Sequence, residues 1–208
     1  RHDIPTKMIQ PSDLFNDGAA DVGQLTNGVY SGETRSSDVL AYVSPSFSGV
    51  KIIAATVMSE KNDATADDWN NVAVTYGSTK KGLYAAVAYQ DSTETGKDGE
   101  VIRAAVQYKS GPLILNAMHQ DVSGDTFEAD SESGSFTHLQ AGYKMGKFMP
   151  KVKYAMADND DATKGDETAY SIGLNYSLGK KTTAYVYYTD SEDMGKKNST
   201  IAGLLHKF

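Results

Sequence analysis

The chain of 208 residues contains no cysteine, which excludes disulfide frameworks, thiolate metal sites and cysteine nucleophiles. Basic residues are in deficit: 20 Lys and Arg face 27 Asp and Glu, for a formal net charge of -7. A nucleic-acid partner is therefore not expected. There is one tryptophan and there are five prolines, and the 19 glycines follow no repeat, so neither a collagen-like nor a low-complexity composition fits. Long hydrophobic runs are missing as well. The longest, Leu83 to Tyr89, has seven residues, far below the roughly 18 that a membrane-spanning helix requires. That absence leaves membrane β-barrels untouched, because only alternate residues of their strands face lipid.

What the chain does have is strand periodicity. From about residue 35 onward, short segments of β-branched, aromatic and small residues alternate with polar ones and end in turn residues. Eleven strands are predicted, at Ser36 to Val43, Val50 to Ser59, Trp69 to Gly77, Leu83 to Gln90, Val101 to Tyr108, Leu113 to Gln120, Phe136 to Tyr143, Lys151 to Ala157, Ala169 to Ser177, Thr182 to Thr189 and Ser199 to Phe208, and no segment carries a helical period. The connections alternate strictly. Short turns, Ser44 to Gly49, Ser78 to Gly82, Lys109 to Pro112, Lys144 to Pro150 and Leu178 to Lys181, are separated by long polar loops such as Asp91 to Glu100 and Asp121 to Ser135. A meander with short turns on one rim and long acidic loops on the other is the arrangement of outer-membrane barrels.

The period of two sorts each strand into faces. Ile102, Ala104, Val106 and Tyr108 oppose Arg103, Ala105 and Gln107, and Tyr170, Ile172, Leu174 and Tyr176 oppose Ser171, Gly173 and Asn175. Periodicity does not say which face is outside; the tyrosines do. Tyr42, Tyr76, Tyr108, Tyr143 and Tyr176 all fall on the apolar face beside a short turn, the expected place of an aromatic girdle at a membrane interface. If the short turns mark the periplasmic rim, the first and last strands both run toward it. An upward strand must then precede Ser36, with Arg1 to Asp3 as its end, so the chain is expected to be the C-terminal portion of a longer barrel.

Arg1, His2, Asp3, Ile4, Pro5, Thr6 and Lys7, an acidic loop, and then Arg35 through Tyr42 with Ser44, Pro45, Phe47, Ser48 and Gly49 resemble the segment around the third loop of general porins of Gram-negative bacteria. Gly203, Leu204, Leu205, His206, Lys207 and Phe208 are similar to that family's C-terminal strand, although many members carry an aromatic residue where His206 stands. The resemblance implies an all-β, transmembrane antiparallel barrel of porin type with sixteen strands, of which strands six to sixteen are present. It implies one partial barrel domain over residues 1–208, with the loop from Pro5 to Thr34 folded into the lumen and residues 36–208 forming a meander of hairpins. It further implies a homotrimer in the bacterial outer membrane, in contact with lipopolysaccharide and outer-membrane lipid, passing ions and small hydrophilic solutes through a water-filled pore. Phe208 would be the signal read by the barrel-assembly machinery.

By the same resemblance the constriction would carry Asp13, Asp17, Asp21 and Glu33 on the loop, facing Arg35; Arg103, Lys151 and Lys153 fall on the polar faces of their strands and are the candidate basic residues lining the lumen. Fixed charge in a narrow, low-dielectric pore sets ion preference. No cofactor is expected. His2, His119, His138 and His206 have no metal-ligand spacing, and the cluster of Asp158, Asp160, Asp161 and Asp166 has Thr163 where a calcium loop needs its turn glycine. A hydrolase built on the same architecture would need a nucleophile and base converging from adjacent strands, and no motif ties Ser to His here. The alternative function is an adhesin or other surface-binding barrel with a plugged lumen.

Overall fold

In chain order the elements are β1 (His2–Asp3), α1 (Pro5–Met8), β2 (Arg35–Ser36), β3 (Val39–Val43), β4 (Val50–Val57), β5 (Trp69–Gly77), β6 (Gly82–Asp91), β7 (Gly99–Ser110), β8 (Leu113–Gly124), β9 (Gly134–Tyr143), β10 (Phe148–Asn159), β11 (Glu167–Ser177), β12 (Thr182–Ser191) and β13 (Ser199–His206). The structure, a computed structural model, describes residues 2–11, 13–15, 20–21, 29, 35–58, 69–91, 99–124, 133–191 and 198–207. Strands β3 to β13 form one antiparallel meander in which every strand pairs with the next. A separate two-stranded pair joins β1 to β2.

Alternation along each strand decides what is covered. In β7, Val101, Arg103, Ala105 and Gln107 are buried, while Ile102, Val106 and Tyr108 are exposed. The same inversion holds in β11, where Ser171 is 1% exposed and its neighbour Ile172 is 58% exposed. A soluble sheet would bury its isoleucines and wet its serines. This one presents its apolar face outward and its polar face to the segment that precedes β2.

The short rim is made of tight hairpins. Ser110 pairs with Leu113 across only Gly111 and Pro112, and Gly111 takes φ +55, a left-handed conformation that glycine adopts without a Cβ penalty. The other rim extends beyond the sequence-based expectation: β8 continues to Gly124 and β10 to Asn159. Strand pairing there outlasts the apolar alternation by several residues, since a ladder held by backbone hydrogen bonds does not need an apolar face.

Two further expectations are corrected. The strand expected from Ser36 to Val43 is two strands, because Asp38 has φ 56 and turns the chain between β2 and β3; aspartate is among the few residues that tolerate this region. A helical turn also occurs where none was expected. Pro5 occupies the first helical position, where its fixed φ suits a helix and its missing N–H costs nothing. The turn closes through Met8 N to Ile4 O, 2.9 Å, and Ile9 N to Pro5 O, 3.1 Å. A single turn is too short to leave a 3.6-residue period.

Candidate functional site

The polar face is occupied by the segment that runs from Ile4 into the acidic loop. Helix α1 is docked first. Thr6 and Asn71 of β5 bond reciprocally, with Thr6 N donating to Asn71 Oδ1 (3.1 Å) and Asn71 Nδ2 donating to Thr6 Oγ1 (2.6 Å). Arg103 Nη1 donates to the Thr6 carbonyl (3.1 Å), and the Tyr84 hydroxyl donates to the Ile9 carbonyl (3.0 Å). Ile4 packs with Val57 and Trp69, and Ile9 with Ile53, Ala73 and Tyr84.

Eleven residues after Ile4, Phe15 meets Tyr187 of β12, edge to face at 5.2 Å between ring centres. Eight strand spacings separate β4 from β12, about 38 Å of flat sheet at roughly 4.8 Å each. Eleven residues that include a helical turn reach only about 30 Å. Side-chain reach at both ends supplements this, and the segment spans the inward face from β4 to β12.

A polar row runs across the inward face at one level: Gln107, Asn116, Gln140, Lys153, Ser171 and Thr189 are successive register partners from β7 to β12. The segment bonds to the middle of this row. Leu14 N donates to Gln140 Oε1 (2.8 Å), Gln140 Nε2 donates to Asp13 Oδ1 (2.8 Å), and Lys153 Nζ donates to Asp13 Oδ2 (2.9 Å) and to the Ala20 carbonyl (2.8 Å). Farther along, Gln120 Nε2 reaches the Val29 carbonyl at 3.4 Å.

The structure thus brings several of the expected site residues together. Asp13 and Lys153 form an ion pair whose side chains are 9% and 0% exposed. Asp21 lies on the same segment, half-buried. Arg103, Lys151 and Lys153 all point to the inward face, and all three are buried beneath the segment, each donating to a main-chain carbonyl of it. Arg35 stands apart from them. It is exposed, and its Nε donates to Asp3 Oδ1 at 2.9 Å within the β1–β2 pair. Asp17, Glu33 and Phe208 lie outside the described residues.

Sequence reasoning missed the partners that hold the segment: Asn71, Tyr84, Gln140 and Tyr187. Their inward parity was readable, but a strand pattern does not say what crosses the face it predicts. It also missed half of the aromatic arrangement. Tyr42, Tyr76, Tyr108 and Tyr143 are exposed beside the short turns, and Tyr176 packs on Phe148 at 4.8 Å between ring centres. A second set, Tyr89, Tyr170 and Tyr188, is exposed on the same outward face toward the long-loop rim, with Tyr154 and Tyr170 4.9 Å apart. Tyr170 and Tyr176 share a face six residues apart, about 20 Å along a strand, and that parity was available in the sequence. In the turn after β10, Asp161 Oδ1 accepts from Thr163 N (2.9 Å) and from its hydroxyl (2.7 Å), which hold the carboxyl below its ordinary pKa. Among the described residues no group of three acidic or histidine side chains is arranged to hold a metal.

A sequence model described as Gram-negative porin matches residues 3–196. The chain belongs to this porin family. Solved structures agree on the fold. A porin refined at 1.8 Å resolution superposes with a TM-score of 0.72 at 18% identity, covering 92% of this chain and 70% of its own. An anion-selective porin from Comamonas acidovorans gives 0.63 at 18% identity, over 81% of this chain and 54% of that one. The outer-membrane protein OmpT of Vibrio cholerae gives 0.60 at 12% identity, over all of this chain and 75% of its own. A comparison with curated protein sequences gives no significant match. The porin is an antiparallel transmembrane β-barrel protein of the bacterial outer membrane. Its apolar outward face is therefore the one that meets lipid, and its polar face is turned to the inside of the barrel.

Proposed function

We propose that this porin passes ions and small hydrophilic solutes down their gradients, without covalent chemistry, through a pore that the loop from Pro5 to Thr34 constricts. The observation that carries the reading is the packing of Ile4, Thr6, Ile9, Leu14, Phe15, Ala20 and Val29 against the inward polar face, with Asp13 bonded to Gln140 and Lys153 of that face. A carboxylate there concentrates cations because the surrounding protein screens its field poorly.

Planar-bilayer reversal potentials of the complete protein in a salt gradient test it. Neutralising Asp13, Asp17 and Asp21 together is expected to shift the reversal potential toward anions, since removing Asp13 also leaves the Lys153 charge uncompensated. Arg35→Ala is expected to shift it the other way, because Asp3 then loses its partner. Both shifts should shrink at 1 M salt, where the Debye length is about 3 Å. A triple variant identical to wild type at low salt would remove the loop from the constriction and leave an adhesin with a plugged lumen as the better reading.

The proposal includes a homotrimeric assembly surrounded by outer-membrane lipid and lipopolysaccharide, with Phe208 read by the barrel-assembly machinery, as the family membership suggests. Native mass spectrometry in detergent should give three chains per particle; a monomer alone would contradict the assembly.

A further inference from the structure

Lys151 is flanked across the sheet by two glycines: it pairs with Gly142 of β9 on one side and Gly173 of β11 on the other. Neither glycine has a positive φ, so no turn requires them, and glycine in a strand interior weakens it unless something must approach the backbone closely. Something does. A Cβ on Gly173 would lie 2.8 Å from Phe15 Cε1 and 2.8 Å from Tyr187 Cδ1, and one on Gly142 would lie 3.1 Å from Leu14 Cδ1. Leu14 rests over one bare step of the wall and Phe15 over the other.

Lys151 rises between them. Its Nζ donates to the Leu14 carbonyl and to the Tyr187 hydroxyl, the latter at 2.7 Å, and lies 4.6 Å from the centre of the Phe15 ring and 3.9 Å from that of Tyr187. A desolvated ammonium against aromatic faces is held more firmly than an exposed one. Phe15 is itself fully buried. Two neighbouring residues of the loop are therefore fixed in three ways: by shape over the glycines, by a charge-assisted hydrogen bond to the main chain between them, and by ring contacts.

We propose that Gly142, Lys151 and Gly173 form a seat for the Leu14 and Phe15 step, and are the positioning residues that set how far the loop stands from the wall and hence the pore's width. The proposal rests on the reading of this loop as the constriction. It assigns Lys151 a role other than presenting charge to passing solutes. Its ammonium serves the loop, and the cross-section left open follows from where the seat holds Leu14 and Phe15.

The test introduces Ala20→Cys as a reporter of seating into the complete protein, these 208 residues having no cysteine of their own and any cysteine outside them being replaced by serine. Ala20 is fully buried and Lys153 holds its carbonyl. Two variants then attack the seat separately: Gly173→Val fills the place of Phe15 with a residue that favours strands, and Lys151→Met keeps the apolar stem while removing the ammonium. In folded barrels, checked by β-sheet circular dichroism and membrane insertion, each is expected to raise the thiol modification rate at position 20 by about tenfold or more through local release, with a rise in single-channel conductance. A released thiol with unchanged conductance would uphold the seat and overturn the reading of the loop as the constriction. A thiol that stays protected in both folded variants would overturn the seat.

Discussion

The two faces of the sheet use the same strands for opposite ends. Outward, Ile172, Val106 and Leu139 are exposed without apolar cover from the protein; inward, Ser171, Gln107 and Gln140 are buried. The difference teaches that burial in this chain is not a measure of hydrophobicity but of position relative to the loop. Lipid takes the place of a core on one face, and on the other a polar wall is dried by a segment that supplies a main-chain carbonyl to each of the buried cations Arg103, Lys151 and Lys153. Arg103, Lys151 and Lys153 each direct donors to loop carbonyls, so a wall rich in cations is also the anchorage of the loop.

The largest expected effect comes from breaking that inward pairing. Asp13 satisfies Lys153, Gln140 and the Phe15 amide together. Asp13→Ala leaves a buried ammonium without its hydrogen-bonded carboxylate and is expected to cost about 3–5 kcal/mol of local stability, the usual penalty for removing one member of a buried pair. Amide hydrogen exchange at Phe15 and Leu14 reads this loss directly. Asp13→Ala combined with Lys153→Met should recover most of it, because replacing both charges with apolar groups removes the unpaired cation. A double variant as labile as the single one would show that the ion pair does not hold the loop.

The fold was largely legible because each of its determinants is local in sequence. Period-two alternation fixes the faces, turn residues fix the short rim, and the tyrosines beside the turns orient the faces relative to lipid. Strand β5 has the bounds expected from its pattern, Trp69–Gly77. The errors lie where a local rule has competition. A single left-handed aspartate, Asp38, splits a strand whose composition is continuous, and one helical turn led by Pro5 is invisible to a periodicity argument. The site was less legible for a different reason. Parity placed Lys151 and Lys153 on the inward face correctly, yet whether an inward lysine meets water or a loop carbonyl depends on contacts 133 to 137 residues apart along the chain. Gly173 was readable only as a weak point of its strand until Phe15 stood over it.

The outward face gives a smaller and more graded prediction. Ile172 lies in the middle of β11, between Tyr170 and Tyr176, and is paired with Tyr188 on β12; its exposed side chain meets the hydrocarbon of the bilayer. Arginine near the midplane of an outer-membrane barrel costs about 2–4 kcal/mol and falls toward 0–1 kcal/mol near the interfaces, because the guanidinium must reach the headgroups or draw water inward. Ile172→Arg is therefore expected to lower the stability of the complete protein by that amount in urea-dependent folding into liposomes. Asn175→Arg, three residues along on the inward face, should cost less, since Asn175 does not face lipid and already accepts from the Tyr187 hydroxyl at 3.1 Å. Quenching by spin-labelled lipids should follow the same order, strong for a probe at position 172 and weak at 175. Equal costs together with equal quenching at the two positions would mean that lipid does not distinguish the faces, and the assignment of outside and inside would have to be abandoned.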